Sequence, residues 1–445
     1  MNGFKSGFLK DFLKRVIPQK ITPEQVDKRE GANPFLFYFL KRLPRFSFKN
    51  TPVWKRNLAV LWTAQLIAMI GMSAFMPFLP LYVRDYLGIT IPEDIHRWSG
   101  FIYAGPFILS IFATPVWGAL GDRYGKKSMV VRAVFGLALA IGLMGFAQNV
   151  WQFFLLRVFQ GAVSGFIAAN LSFVSSETPQ EHTGYALGIL QTATSGGTVG
   201  GPLLGGILSD IAGMKNVFFI VAGMCLISGV IVVRFLKEDK KPVKGSSPSN
   251  PLKNLHYAWE HPKIRWPLAV LVIAQASIVF AGPIFALYIE SLGAPAKSLK
   301  TITGVMIGIV GLCSVIFAPF WGKRNDSATW GRTFGIAAFI VGVAIGLQGF
   351  VPRYEYIFPL RLIIGIFVAA IIPGLYSVLS RQSPSAIRGG IMGLASSATL
   401  LGNLISPTLS SWIAAQYGMQ WCFLVAGIMM ITVAVSSQRA LKIQQ

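Results

Sequence analysis

The sequence predicts an all-α membrane protein with twelve transmembrane helices in two six-helix halves, and three observations support this prediction. The composition is apolar: 53% of the 445 residues are hydrophobic, 13% are charged and the mean hydropathy is +0.57. Apolar runs of the roughly 20 residues that a helix needs to cross a bilayer recur along most of the chain. Short motifs also return after 204 or 205 residues, as they do in a duplicated membrane unit.

Twelve apolar runs are expected to form the spans, and all are too long for the strands of a membrane barrel. The predicted spans cover residues 57–83, 98–120, 128–147, 151–174, 184–209, 216–235, 265–289, 299–322, 331–350, 355–379, 389–414 and 419–437. The resulting domains are a basic N-terminal segment 1–56, a first bundle 57–235, a cytosolic linker 236–264, a second bundle 265–437 and a cytosolic tail 438–445.

The repeat can be followed in individual residues. Those that return are Trp117, Gly118, Asp122, Arg157 and Gly161 after 204 positions, and Gly188, Gly197 and Pro202 after 205. Two similar bundles of this kind enclose a pathway between them, so the repeat indicates transport of a small-molecule substrate.

The net charge of +23 is explained by membrane topology. With the N-terminus in the cytosol, 32 of the 40 Lys and Arg residues fall in inner segments and only 6 in outer segments. The positive-inside rule then predicts that both termini are cytosolic. No nucleic-acid partner is expected, because no soluble domain is predicted that could present a basic face.

Two interpretations stay open for the first fifty residues. Apolar residues at helical spacing alternate with Lys and Arg, as in a basic amphipathic helix that lies on anionic membrane lipids. A disordered basic tail would have the same composition.

The loop after the second span combines glycines with charges, in the order Gly118, Gly121, Asp122, Arg123, Gly125, Lys126 and Lys127, with Arg132 one turn into the third span. Glycines permit a tight reversal between two helices. Asp122 can pair with Arg132 or cap a neighbouring helix. We expect an inner gate here, formed by Gly118, Asp122, Arg123, Gly125, Lys126 and Arg132.

The fifth span carries a second candidate gating element. Gly197, Gly201 and Gly205 are spaced four residues apart and form a flat stripe for close helix contact, while Pro202 bends the helix. Gly304 and Gly308 on the eighth span are expected to form the opposing stripe across the two halves.

These motifs resemble those of a known family. The Asp122 loop is similar to the signature loop of the major facilitator superfamily, and Arg157-Val-Phe-Gln160-Gly161 resembles its Arg-x-x-x-Gly motif. The glycine stripe, with Met76-Pro77-Phe78-Leu79-Pro80, resembles the multidrug efflux proteins of its drug:proton antiporter group, over about residues 54 to 440. The resemblance implies the major facilitator fold and export driven by protons.

Acidic residues give this coupling little support. None of the 17 Asp and Glu residues, and none of the four His residues, lies deep in a predicted span, where a proton carrier is usually found. The remaining candidates lie near helix ends: Asp85, Asp122, Asp210 and Glu290. Solvated loop carboxylates explain these four positions equally well.

Arg157 and Arg361 are embedded without a buried acid, which makes them candidates for function. Backbone carbonyls or Gln160 could satisfy them; alternatively they face a central cavity and bind anionic or acceptor-rich groups of a substrate. Further polar residues expected at that substrate site are Gln65, Gln191, Gln275 and Asn403.

The sequence therefore predicts a monomeric exporter of small amphiphilic compounds in a bacterial cytoplasmic membrane. An exporter dedicated to one anionic metabolite, such as a siderophore, is the alternative, and a non-transporting sensor or scaffold is a third hypothesis. An enzyme, a metal site and a cofactor are not expected, because no nucleophile, metal cluster or nucleotide loop is present in the sequence.

Overall fold

A computed structural model describes residues 52–163, 165–238, 251–325, 330–384 and 387–444, and within these ranges the chain is helical with no strand. Residues 1–51 of the predicted N-terminal segment, most of the linker and Asp326 lie outside the described residues. The helical architecture confirms the predicted all-α fold class.

Eight helices build the first half. They are α1 Val53–Phe75, α2 Leu79–Tyr86, α3 Pro92–Tyr124, α4 Lys126–Met144, α5 Val150–Val163, α6 Phe166–Glu177, α7 Gln180–Ala212 and α8 Met214–Phe235. The pairs α1–α2 and α5–α6 each make one predicted span, so the first half contains six spans.

The second half repeats this order after a short helix, α9 Pro251–Glu260, in the predicted linker. Its helices are α10 Pro262–Val279, α11 Phe285–Ser291, α12 Leu299–Asn325, α13 Trp330–Leu347, α14 Ile357–Val368, α15 Ile371–Gln382, α16 Arg388–Tyr417 and α17 Met419–Gln444. Here the pairs α10–α11 and α14–α15 each make one span.

Proline breaks the first span of each half at the same place. Short 3-10 turns at Met76–Phe78 and Gly282–Ile284 separate α1 from α2 and α10 from α11, with Pro77 and Pro283 as their second residues. Proline lacks the N–H that would continue the helical ladder, so the chain tightens and changes direction there.

Each half has its own hydrophobic core. One large cluster of buried side chains runs from Leu58 to Leu236, and the other is drawn almost entirely from residues 258–434. Two separate cores are what the duplicated sequence predicts, and they allow one bundle to move against the other.

Nine helical segments in the described part are long and apolar enough to cross a membrane. The other three predicted spans coincide with α3, α7 and α16, which have 30 residues or more each. These three helices pack against the opposite half, α3 against α16 and α7 against α12. A helix with that position is not surrounded by lipid, so it need not be apolar on every face.

Candidate functional site

An ion pair joins the halves at the outer ends of the first and seventh spans. Nη1 and Nη2 of Arg84 donate to the two carboxylate oxygens of Glu290 at 2.6 and 3.1 Å, and Nε donates to Asp85 at 2.8 Å. The Arg84 and Glu290 side chains are 35% and 33% exposed. The pair is therefore geometrically strong but open to solvent and to protons.

Asp210 makes a second outer contact between the halves. Its Oδ2 accepts hydrogen bonds from the backbone N–H of Thr301 at 3.0 Å and from the Thr301 hydroxyl at 2.7 Å. Thr301 lies in the first turn of α12, where a carboxylate satisfies free N–H groups and the helix dipole. Lys300 is also near, with Nζ 3.9 Å from the second Asp210 oxygen.

Three of the four predicted proton-coupling candidates therefore lie at the outer junction. Asp85 and Glu290 share Arg84, and Asp210 caps α12. The fourth, Asp122, is at the inner end of α3, and its side chain lies outside the part that the structure describes. Proton coupling at these residues stays a prediction.

A buried tyrosine bridges the two proline breaks. The hydroxyl of Tyr103, on α3, donates to the carbonyl oxygen of Met76 and lies 3.1 Å from the carbonyl oxygen of Gly282. Both carbonyls immediately precede a proline, and each can accept a second hydrogen bond. One side chain of the first half thus contacts the hinge of both halves, a role that the sequence analysis missed.

The glycine stripe of α7 packs within its own half. A Cβ at Gly197 or Gly201 would press on Met69 or Ser73 of α1. The expectation that Gly304 and Gly308 oppose this stripe is therefore wrong. They meet another face of α7, where Gly304 lies against Pro202. Gly205 lies against Ala74, also on α1, so the whole stripe fixes α7 to α1.

The inner loop is held by backbone caps and a stacked cation. Gly125 has a φ of +93°, which side chains rarely tolerate, and it separates α3 from α4. The carboxylate of Glu238 accepts the N–H groups of Lys126 and Lys127 at 2.8 and 3.1 Å, so it caps α4. Arg132 lies over the ring of Trp117, with its guanidinium carbon 3.5 Å from the ring centroid.

The other predicted gating residues are partly resolved. Arg123 lies over the ring of Tyr124 at 5.3 Å, and Lys126 Nζ donates to the carbonyl of Ser172 at 3.4 Å. The surroundings of Gly118, like those of Asp122, lie outside the described residues. Whether this loop gates transport is not decided by these contacts, and gating stays a prediction.

The two embedded arginines have different surroundings. Arg157 is buried and donates to the carbonyl of Ile102 at 3.0 Å, to Oε1 of Gln160 at 2.5 Å and to the sulfur of Met76 at 3.1 Å. The guanidinium of Arg361 instead lies over the ring of Phe285, 3.9 Å from its centroid.

Polar side chains form one small network in each half. In the first half, Asn170 donates to Gln65 at 2.7 Å and Gln65 donates to Thr194 at 2.5 Å. In the second half, Gln275 donates to Asn403 at 2.9 Å. These networks join the first, fourth and fifth spans, and the seventh and eleventh spans.

Gln191, the remaining predicted substrate residue, is exposed on α7, one turn before Thr194. The structure thus brings Gln65 together with Asn170, and Gln275 together with Asn403, but keeps the two groups in separate halves. Substrate binding by these residues stays a prediction.

Sequence reasoning missed three contacts that are now visible. Tyr103 and Thr194 looked like ordinary helix residues, and Glu238 looked like a linker charge. Only the positions of Met76 and Gly282, which both precede a proline 206 residues apart, gave a signal. It marked the two hinges but not the side chain that bridges them.

Two six-helix bundles with polar groups between them and ion pairs at one end define a membrane transporter, not an enzyme. The chain belongs to the Major Facilitator Superfamily, whose sequence model matches residues 61–299 and 268–441. The resemblance seen in the sequence is thereby confirmed, and the chain is a multi-pass membrane protein of this family.

Curated relatives agree with this assignment. The chain is 32% identical to multidrug resistance protein MdtG of Salmonella arizonae over 390 residues, which cover 87% of this chain and 96% of that protein. It is also 32% identical to the MdtG protein of Proteus mirabilis, covering 83% and 92% of the two chains.

Solved structures share the fold at much lower identity. A bacterial homologue of the human lysosomal transporter Spinster matches with a TM-score of 0.71 and 14% identity, over 88% of this chain and 98% of that chain. The human organic anion transporter MFSD10 matches with a TM-score of 0.65 and 16% identity, over 87% and 100%.

Proposed function

We propose that this protein exports small amphiphilic compounds, such as drugs, across the bacterial inner membrane by alternating access and proton antiport. The relatives named multidrug resistance protein support the substrate class, since they match along most of both chains. Both termini of the exporter face the cytosol, in agreement with the excess of Lys and Arg in the inner segments.

The observation that carries alternating access is how the halves are joined. Arg84 with Glu290, Asp210 with Thr301, and Tyr103 with Gly282 are polar contacts between the halves at the outer side of two separate hydrophobic cores. Polar contacts in a partly solvated junction can break at a cost of a few kcal/mol, whereas a continuous apolar core could not. The junction is therefore suited to open and close.

Proton antiport would use the carboxylates at this junction. Protonation of Glu290 removes the charge that binds Arg84, and protonation of Asp210 weakens its cap on α12. A proton taken up from the outer side would thus favour opening of that side. The polarity is the one an exporter needs, because protons then enter as the substrate leaves.

The test is uptake of rhodamine 123 into inside-out vesicles with an acidic lumen. We expect uptake that stops when nigericin dissipates the pH gradient, and much slower uptake in Glu290→Gln. The matched control is Glu93→Gln, which neutralises an exposed carboxylate at the same outer side. Uptake that continues at the same rate without a gradient would contradict proton antiport, and no uptake under any condition would contradict drug export.

An exporter dedicated to one anionic metabolite is the second candidate, and the surroundings of Arg361 favour it. A strain that gains resistance to many unrelated compounds on expression of this protein would exclude it. Protection against a single acidic compound would support it.

A further inference from the structure

Two arginines at equivalent positions in the repeat differ in their hydrogen bonds. Arg157 and Arg361 are 204 residues apart, each about one turn or two inside the outer end of its span. Arg157 donates three hydrogen bonds to its own half. Arg361 donates none to any described residue, and its one contact is the face of the Phe285 ring.

The cause of this difference can be read from the two halves. Gln160 accepts a hydrogen bond from Arg157, and the residue 204 positions later is Ile364, which has no acceptor. Met76 supplies its sulfur to Arg157, and the residue that ends the equivalent helix is Gly282, which has no side chain. The second half has therefore lost both side-chain partners and kept the arginine.

The end of the Arg361 side chain can be reached from outside the protein. Its Nε is sealed from solvent without a hydrogen-bond partner, whereas Nη1 and Nη2 have neither a partner nor complete burial. The residue as a whole is only partly exposed. The fork of terminal nitrogens thus ends in an accessible space inside a membrane span, next to an aromatic ring.

No acidic residue of the described chain pairs with this cation. All 17 acidic residues lie outside the predicted spans, and the contacts of Arg361 include no carboxylate. A charged group in this environment is costly unless something pairs with it. The ring of Phe285 offsets part of this cost but leaves the hydrogen-bond donors unused.

We propose that Arg361 binds the oxyanion of an exported substrate, and that this substrate is an aromatic or otherwise apolar molecule with a carboxylate or similar acidic group. The guanidinium fork matches two oxygens of such a group. The neighbouring Phe285 ring offers an apolar surface to the rest of the molecule. The proposal rests on the export function, and it assigns recognition to the second half, with Arg157 serving as an internal brace of the first.

Two dyes with the same fused ring system separate charge from shape. Fluorescein carries a free carboxylate, and rhodamine 123 carries a methyl ester and a positive charge instead. Binding of each dye is measured by fluorescence anisotropy on the purified full chain, and transport of each is measured in inside-out vesicles. Arg361→Gln should weaken fluorescein binding by about 10- to 100-fold, the effect of losing hydrogen bonds to a charged group. Rhodamine 123 binding should stay unchanged.

Two further variants complete the design. Arg361→Lys keeps the charge without the fork and should bind fluorescein with intermediate affinity. Arg157→Gln removes the internal brace and should lower the unfolding temperature, with an equal effect on both dyes. This pair distinguishes recognition of an anion from general damage to a half.

The outcomes are decisive for each proposal separately. Equal fluorescein affinity in the parent and in Arg361→Gln would overturn the assignment, and so would equal losses for both dyes or a parent that does not bind fluorescein. Binding does not require transport. A parent that binds fluorescein through Arg361 but moves neither dye would refute export and leave the oxyanion site in place.

Discussion

Trp117 and Trp321 make the same hydrogen bond in the two halves. Nε1 of Trp117 donates to the carbonyl of Ala162 at 2.7 Å, and Nε1 of Trp321 donates to the carbonyl of Ile366 at 2.6 Å. Donor and acceptor are each shifted by 204 residues. The repeat therefore preserves a particular contact, which ties the second span of each half to the fourth.

We expect Trp321→Phe to destabilise the protein by about 1 kcal/mol, because the carbonyl of Ile366 loses its side-chain donor while the ring volume is largely kept. Trp117→Phe should cost more, because Arg132 also stacks on that ring. The unfolding midpoint in detergent measures both effects. Trp412→Phe is the control, since Trp412 is half exposed. An equal shift in all three variants would show that the two hydrogen bonds contribute nothing.

Much of this architecture was predictable from the spacing of residues. Hydrophobic runs predicted the twelve spans, and the repeated residues predicted equivalent positions such as Trp117 and Trp321. These features depend on position along a helix, which periodicity and hydropathy describe well. The long helices α3, α7 and α16 extend beyond the predicted spans because a helix can continue into water after it leaves the hydrocarbon.

Contacts that depend on helix rotation were not predictable in the same way. The stripe of Gly197 faces α1 and not α12, because small residues permit close approach without selecting the neighbour. The different surroundings of Arg157 and Arg361 could have been found by aligning the halves, since Gln160 and Ile364 are visible in the sequence. The bridging role of Tyr103 could not, because residue 307, its counterpart, is isoleucine.

Tyr103→Phe should favour the state that is open to the outside. The change removes the hydroxyl that contacts the hinges at Met76 and Gly282 and leaves the ring in place. Loss of one hydrogen bond of about 1 kcal/mol corresponds to about a fivefold change in the ratio of the two states.

Distances between spin labels can measure this shift. Glu93→Cys and Lys297→Cys place labels at exposed outer positions in different halves, in a protein whose native cysteines are replaced. The long-distance population should rise with Tyr103→Phe. Tyr86→Phe is the matched control, because Tyr86 is 45% exposed at the same outer end. Identical distance distributions in the parent and Tyr103→Phe would remove the hydroxyl from the closing contact.

The Arg84–Glu290 pair should control the same equilibrium through charge. Because the two side chains are 35% and 33% exposed, we expect a coupling of only about 0.5 to 1 kcal/mol. The double-mutant cycle of Arg84→Gln and Glu290→Gln, followed with the same spin labels, measures it. Salt screens an exposed pair, so the outward-open population of the parent should rise with ionic strength, and that of Glu290→Gln should rise less.

Acid should act in the same direction as Glu290→Gln. A protonated Glu290 no longer offers a negative charge to Arg84, so the outward-open population should increase as the pH falls. This pH dependence should be weaker in Glu290→Gln and retained in Glu93→Gln, which leaves the pair intact. An outward-open population that responds to pH equally in all three proteins would place the proton-sensitive group elsewhere, with Asp210 on α7 as the next carboxylate to neutralise.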